Sequence, residues 1–254
     1  MIHDIAYYKK IQNAYLSQSK KQTDLHVLSA NVRSDFYQSL NWEAVTVDGT
    51  SQDVLITKGE NEKVKKIKSK PGENLYLGDI IGWADTYWMM TQMDYDDQLH
   101  CAGKMTQCNT ILKWQLDDLS IHSEYAVADD ATKYGTGVTE TQYIQTVEFT
   151  LKIRVPVNEY TLAIKQDRRF LLGFSGTNYQ PHSFIVSRLN VQTGTMDLNS
   201  DNTVPGHGYL EITMMEDQVR QDHDNLTLGV ADYTAPPSGN EGDTEPEEES
   251  GWFG

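Results

Sequence analysis

The sequence predicts a mainly β protein, with a small antiparallel β-barrel or sandwich, an N-terminal helix and a second β-rich region. Apolar and polar residues alternate with a period of two in short runs that begin at Trp42. Turn residues separate these runs at short intervals, and no helical pattern lies between them. Because parallel strands need long crossover connections, this order of segments favours antiparallel pairing over βαβ units.

Residues 1–41 are predicted to form a helical arm. In Ile5–Leu16 the apolar side chains recur at spacings of three and four, which places four of them on one helical face: Ile5, Tyr8, Ile11 and Tyr15. Such a short amphipathic helix has no core of its own, so we expect this face to contact the protein body or a neighbouring subunit. A second helix is predicted over residues 23–40, with Thr23 or Asp24 as its N-cap.

A first β module is predicted over residues 42–121. Trp42–Val47 and Gln52–Thr57 alternate on either side of Asp48-Gly49, which predicts a hairpin with a tight turn. Further strands are predicted at Leu75–Trp83, at Thr86–Met93 after the turn Ala84-Asp85, and at Leu99–Trp114 with a candidate break at Gly103.

A second β-rich region is predicted over residues 122–233. Tyr143–Val155 alternates over an unusually long run, which Pro156 closes. Further strands are predicted at Phe170–Phe174, Ser183–Ser187 and Gly208–Met215.

Residues 234–254 are predicted to be an acidic, disordered tail or linker. Pro236–Gly254 contains six acidic residues, no basic residue and several Pro, Gly and Ser residues. Such a composition buries too little apolar surface to offset the entropy of ordering the chain.

Charge and composition limit the function of the whole chain. It has 37 acidic and 21 basic residues, a net charge of −16, which argues against a basic protein that coats nucleic acid. No run approaches the roughly 18 to 20 apolar residues of a membrane span, and the first residues lack a signal-peptide pattern, so we expect a soluble protein with no membrane partner. Cys101 and Cys108 are too few for a disulfide scaffold or a zinc site, so we interpret them as packing residues.

No motif in the sequence predicts catalysis. Gly173-Phe-Ser-Gly176 lacks the final glycine of a nucleophile elbow, no glycine-rich phosphate loop is present, and the seven histidines are scattered singly. Asp197-Leu-Asn-Ser-Asp201 resembles the first half of a calcium loop, but the second half is missing, which favours an ordinary turn. We therefore expect no enzyme, no catalytic residues, no metal and no cofactor.

One basic cluster stands out against this acidic background. Five lysines fall within eight positions: Lys63, Lys65, Lys66, Lys68 and Lys70. In an extended strand the side chains of residues 66, 68 and 70 lie on one face and form a positive stripe. Two interpretations are open, namely a solvated strand edge protected by lysines, or a surface for DNA phosphates or an acidic partner.

Several segments, in order, resemble a family of bacteriophage proteins. They are Ile67-Lys-Ser-Lys-Pro71, Leu77-Gly-Asp-Ile-Ile-Gly-Trp83, Thr86–Asp94 and Gly103–Gln115. Together they resemble the head-closure (stopper) proteins found at the head-tail junction of tailed phages. Asp4–Tyr15 and Arg168–Phe174 are similar to segments of longer phage virion proteins that carry this module.

The resemblance implies a structural role in the virion neck, after assembly in the host cytoplasm. It implies a homo-oligomeric ring of six or twelve copies, with portal or adaptor proteins and tail proteins as partners. The loop Gly59–Lys70 would face the channel, where its lysines would meet packaged DNA. We expect subunit contacts through Ile5, Tyr8, Ile11, Tyr15, Trp83 and Trp88.

Two other functions remain open from the sequence. The chain is much longer than a minimal stopper, so a tail terminator, an adaptor or a baseplate subunit is the nearest alternative. A carbohydrate-binding module of β class is an alternative of another kind, because four aromatic residues are candidates for a sugar-binding platform: Trp83, Tyr87, Trp88 and Tyr95.

Overall fold

A computed structural model describes most of the chain between residues 28 and 236. The described residues are 28, 31–33, 35–94, 100–130, 133–139, 142–148, 150–173, 181–193 and 206–236. The mainly β fold is confirmed, because these residues form fourteen strands. The predicted helix over Ile5–Leu16 lies outside them, and within the predicted helix over 23–40 the described positions 28, 31–33, 35 and 36 are helical.

The first six strands close into a barrel in the order β1-β2-β3-β6-β5-β4, with all neighbours antiparallel. Their bounds are β1 Trp42–Val47, β2 Thr50–Lys58, β3 Val64–Ser69, β4 Ile80–Trp83, β5 Thr86–Asp94 and β6 Ala102–Gln107. Alternate strand side chains point inward and form one apolar core with Leu75 from the connection before β4: Val45, Val47, Val54, Ile56, Ile67, Ile81, Trp88, Met90 and Met105.

The predicted hairpin at Asp48-Gly49 is confirmed. Val47 pairs with Thr50, and the two turn residues have φ angles of 46° and 81°. Positive φ at both positions is the geometry of a type I′ turn, whose twist matches that of the flanking strands. The predicted strand over Leu75–Trp83 begins only at Ile80, because Gly78, at φ 90°, turns the chain into β4.

The second unit is a six-stranded antiparallel sheet in the order β12-β13-β14-β11-β8-β7. Its strands are β7 Thr110–Gln115, β8 Ile121–Asp130, β11 Thr150–Pro156, β12 Arg169–Leu172, β13 His182–Thr193 and β14 Gly208–Asp217. A separate two-stranded pair consists of β9 Lys133–Thr139 and β10 Gln142–Glu148. A short helix, α1 Glu159–Leu162, begins after Asn158, whose side chain accepts a hydrogen bond from the Thr161 N–H at 2.8 Å.

The structure corrects the predicted single strand over Leu99–Trp114. The strand ends at Gln107 and a new one begins at Thr110, in the other sheet, although both halves lie within the predicted first module. The chain passes from one sheet to the other at Asn109. The side-chain amide of Asn109 accepts a hydrogen bond from the Ala128 N–H at 2.7 Å and donates one to the Ala128 carbonyl at 2.8 Å, in place of backbone pairing. Gly103 is not the break, since it lies within β6, where a Cβ atom would sit 2.1 Å from the Gln92 carbonyl oxygen.

Among the described residues, the contacts between the two units include two stacked ring pairs and a close backbone approach. Tyr87 of β5 stacks on Tyr125 of β8, and Tyr76 stacks on His207, each with ring centroids 3.8 Å apart. Beside the second stack, a Cβ atom added to Gly78 would lie 1.8 Å from the Gly208 carbonyl oxygen. Glycine is therefore required at position 78 for contact between the units as well as for its positive φ.

We expect Gly78→Ala to destabilise the chain by about 3 kcal/mol in free energy of unfolding, because left-handed strain adds to a backbone clash. Gly49→Ala is the matched control, since Gly49 has φ 81° but nothing within 4 Å of a Cβ atom. It should cost only the strain, about 1 kcal/mol. Chemical denaturation measures both, and equal losses would contradict the close approach at Gly78.

Candidate functional site: the basic face of the barrel

The basic face is the outer surface of the barrel around Lys66, Lys68 and Lys104. Ile67 and Ser69 of β3 are fully buried, so the alternation along the strand turns Lys66 and Lys68 outward, where both are exposed. In the pairing of β3 with β6, Lys66 lies directly opposite Lys104 and Lys68 opposite Ala102. The barrel thus adds to the β3 lysines a third lysine that is distant in sequence.

An open groove of about 820 Å³ lies along this face. The three lysines line it together with apolar groups from neighbouring strands, among them Leu55, Met93 and Ala102. Asp94 is an acidic residue in its lining. The groove therefore combines positive charge with an apolar floor.

The charges on this face are unequally neutralised. Lys104 forms an ion pair with Glu60, and this hydrogen bond is the main reason that the pKa of the Glu60 carboxyl is lowered. Among the described residues, neither Lys66 nor Lys68 forms an ion pair with a carboxylate. Lys66 attracts the Glu60 carboxylate and contributes to lowering its pKa, but neither lysine is held in an ion pair that a ligand would have to break.

The other predicted lysines have different surroundings. Lys70 lies one position beyond β3, where its ammonium donates a hydrogen bond to the Tyr37 hydroxyl at 2.7 Å and approaches the Asp53 carboxylate at 3.5 Å. The Tyr37 bond is the main cause of the raised pKa of Lys70. Lys65 is half-buried on the side of the strand that carries Ile67, and Lys63 is exposed in the preceding loop. Of the predicted stripe, only Lys66 and Lys68 therefore line the groove.

The structure contradicts a role for Trp88 at a subunit interface. Its side chain is 4% exposed and packs in the barrel core, and its indole N–H donates to the Thr86 hydroxyl at 2.8 Å. Trp83 is half-buried beside it, with ring centroids 5.7 Å apart. The burial of Trp88 also removes it from the sugar-binding platform, of which Tyr95 lies outside the described residues. The interface residues predicted on the N-terminal helix, Ile5, Tyr8, Ile11 and Tyr15, lie outside them too.

A second polar cluster surrounds Arg169 of β12. It holds the segment that follows β14 against the second sheet. The guanidinium of Arg169 is buried and bonds Asp217, Asp224 and Asp232 at 2.6 to 2.9 Å. Burial opposes the charge, but these carboxylates outweigh it and raise the pKa of Arg169. The cluster is fully engaged within the protein, so it supports the fold rather than a ligand. Sequence reasoning missed it, because no motif connects Arg169 with acids 48 to 63 positions later.

A third cluster lies where the two units meet. Asp79 is 5% exposed, accepts a hydrogen bond from the Tyr76 N–H at 2.7 Å, and lies 3.7 Å from the His207 imidazole. Burial raises the pKa of Asp79 to about 7. Burial likewise raises the pKa of the Cys108 thiol to about 12, so this thiol stays protonated at neutral pH. Both cysteines are free.

Metal and membrane features were sought in the described part of the chain. Over those residues, no three His, Cys, Asp or Glu side chains are grouped so as to hold a metal ion. The calcium-like Asp197–Asp201 lies outside them. In the same part of the chain, no helix has the length and apolar character needed to cross a membrane.

The chain was compared with protein families, curated proteins and solved structures. No protein-family model matches the chain, and no curated protein matches it. A solved structure described as MrkH, a c-di-GMP-dependent transcription regulatory factor, is similar at 10% identity and a TM-score of 0.23, over 78% of this chain and 85% of that one. Similarity at that level carries no argument about fold or function.

We expect Asp79→Asn to stabilise the chain at pH 8 and to have little effect at pH 4. Because the pKa of Asp79 is raised from 3.8 to about 7 on folding, the folded state favours the protonated carboxyl, and stability is lost as pH rises through this window. The amide keeps an acceptor for the Tyr76 N–H without a buried charge, so the gain at pH 8 should be about 1–2 kcal/mol. Denaturation at both pH values measures it. Asp117→Asn, at an exposed position, is the control, and a gain independent of pH would contradict the buried charge.

Proposed function

We propose that this chain is a structural subunit of the head-tail junction of a tailed phage, of the head-closure type. It would form a ring of six or twelve copies between a portal or adaptor protein and the tail, in the virion neck, and it would be assembled in the host cytoplasm. Packaged DNA would lie against the basic face.

One observation carries this proposal. The segments that resemble head-closure proteins supply all or part of four of the six barrel strands: Ile67–Pro71 completes β3, Leu77–Trp83 forms β4 with its entry turn, and Thr86–Asp94 forms β5. Gly103–Gln115 supplies β6 and then leads into the second sheet through β7. The resemblance is therefore concentrated in the barrel, and the barrel carries the basic face.

Electrostatics supports DNA as the ligand of that face. The chain carries a net charge of −16, so most of its surface repels phosphate. Lys66 and Lys68 offer charge without a carboxylate partner among the described residues, and lysines bind phosphate as point charges without reading sequence. A neck protein has to hold DNA of any sequence, which agrees with contacts of this kind.

A tail terminator, adaptor or baseplate subunit remains the alternative within virion proteins. The same barrel and second sheet suit any ring-forming subunit. The position of the chain in the particle therefore distinguishes this alternative from a head-closure protein.

Location in the particle tests the proposal. Virions of the phage that encodes this chain should be labelled with an antibody raised against residues 206–236 and imaged by electron microscopy. We expect label at the neck, with a copy number by quantitative mass spectrometry of six or twelve. Label at the tail tube or baseplate would favour the alternative, and a chain absent from purified particles would refute both.

The DNA contact has its own test in the same particles. Charge reversal by Lys66→Glu with Lys68→Glu should let packaged genomes leak while particles still assemble, because the face would then repel phosphate. Lys113→Glu with Lys165→Glu, on the second unit, gives the same change of charge as a control. The amount of nuclease-sensitive DNA measures leakage. Equal genome retention in the two double variants would contradict a contact between the basic face and packaged DNA.

A further inference from the structure

We propose that the acidic segment, defined as residues 237–254, docks on the basic face of its own chain and competes there with phosphate polyanions. This proposal goes beyond the role in the neck, because it names the segment that occupies the groove when DNA is not bound.

Charge complementarity is the first argument. The acidic segment holds six acids and no base: Glu241, Asp243, Glu245, Glu247, Glu248 and Glu249. Within the described residues the basic face contains two lysines that form no ion pair, Lys66 and Lys68. Opposite charge recruits the segment to this face and repels it from the acidic remainder of the protein.

Spacing is the second argument. Glu241, Asp243 and Glu245 are two positions apart, as are Lys66 and Lys68. In extended backbone, residues two apart point to the same side at a separation of about 6.6 Å. Pro246 lacks the N–H that a helix through these positions would need, so the sequence is compatible with the extended docking that we propose. Carboxylates and ammonium groups then repeat at matching intervals.

Reach is the third argument. Gln115 holds Thr234 by two hydrogen bonds of 2.8 Å, which fixes where the segment departs. Gln115 lies eleven positions after Lys104, a path of at most about 36 Å along the strands. Glu241 to Glu249 lie seven to fifteen positions after Thr234, and extended chain of that length spans about 23 to 50 Å. Glu245 and the acids after it, eleven or more positions from Thr234, can therefore reach the basic face without a second copy even along the longest path, and Glu241 and Asp243 can reach it along a shorter one.

The groove also offers the segment an apolar contact. Leu55 and Met93 line the groove and are half-buried. Trp252 and Phe253 follow the acids, and aromatic side chains bury large apolar areas. Exposed ion pairs are individually weak and screened by salt, so the docking is reversible and a longer polyanion displaces it.

Zero-length crosslinking tests the contact directly. Full chains with natural and heavy nitrogen, mixed in equal amounts at about 50 mM salt, are treated with a carbodiimide, which joins carboxylates to amines in contact. We expect crosslinks between the acids of 237–254 and Lys66, Lys68 or Lys104, all within one isotope. The control lysines Lys113, Lys152 and Lys165 on the second unit should give none. Crosslinks of mixed isotope, crosslinks chiefly to the control lysines, or no crosslinks would each overturn the proposal.

Competition is measured in the full chain by changing the six acids of the segment to amides. The probe is a labelled DNA duplex followed by fluorescence anisotropy. The control variant changes six exposed acids of the protein body to amides, for the same gain in charge: Asp85, Asp117, Asp118, Glu159, Asp167 and Asp222.

We expect the segment variant to bind the duplex about tenfold more tightly than the control variant at low salt, with the difference lost near 0.5 M salt. Adding Lys66→Glu and Lys68→Glu should abolish the gain. Equal affinity of the two amide variants would overturn the competition. Neither measurement depends on the location of the chain in a virion. Crosslinks within one chain would therefore support the docking of the acidic segment even if the proposed role in the neck were wrong.

Discussion

Closure of the barrel places two like charges against each other. β3 pairs with β2 on one side and with β6 on the other, and this register sets Lys66 directly opposite Lys104. Like charges opposite each other in a sheet are destabilising. The register is nevertheless fixed, because a slip by one residue would turn Ile67 out and bring lysines into the core. The apolar interior therefore maintains the basic face against its own repulsion.

Glu60 relieves part of this repulsion. It forms an ion pair with Lys104 and attracts Lys66 more weakly, whereas Lys66 and Lys68 form no ion pair among the described residues. A sheet selected for stability alone would place an acid or a neutral side chain opposite Lys104. A surface that costs stability is typical of a binding site, and on an acidic chain the fitting ligand is a polyanion. The proposed contacts with DNA and with the acidic segment both depend on this one surface.

Local patterns predicted more of this structure than long-range ones. The hairpin at Asp48-Gly49, the turn at Ala84-Asp85 and the strands at Phe170 and Gly208 were predictable, since each depends on neighbours in sequence. The break at Asn109 was not, because it depends on hydrogen bonds to Ala128 in a strand whose own alternation is weak. The basic stripe was predicted only in part, since Lys104 joins it through strand pairing. The aromatic pattern around Trp88 did not distinguish a core residue from an interface residue, because tryptophan is common in both.

The most direct test of the central claim compares two single charge reversals at neighbouring outward positions of β3. In a chain that carries Glu60→Gln, so that Glu60 attracts neither lysine, Lys66→Glu replaces repulsion from Lys104 with attraction, and the free energy of unfolding should rise by about 0.5 kcal/mol at low salt. Lys68→Glu faces Leu55 and Ala102 across the strands and should give no gain. In about 1 M salt the difference should vanish, since exposed charges are then screened. Equal effects of the two substitutions, or a gain unchanged by salt, would contradict the claim that the barrel core holds like charges together on this face.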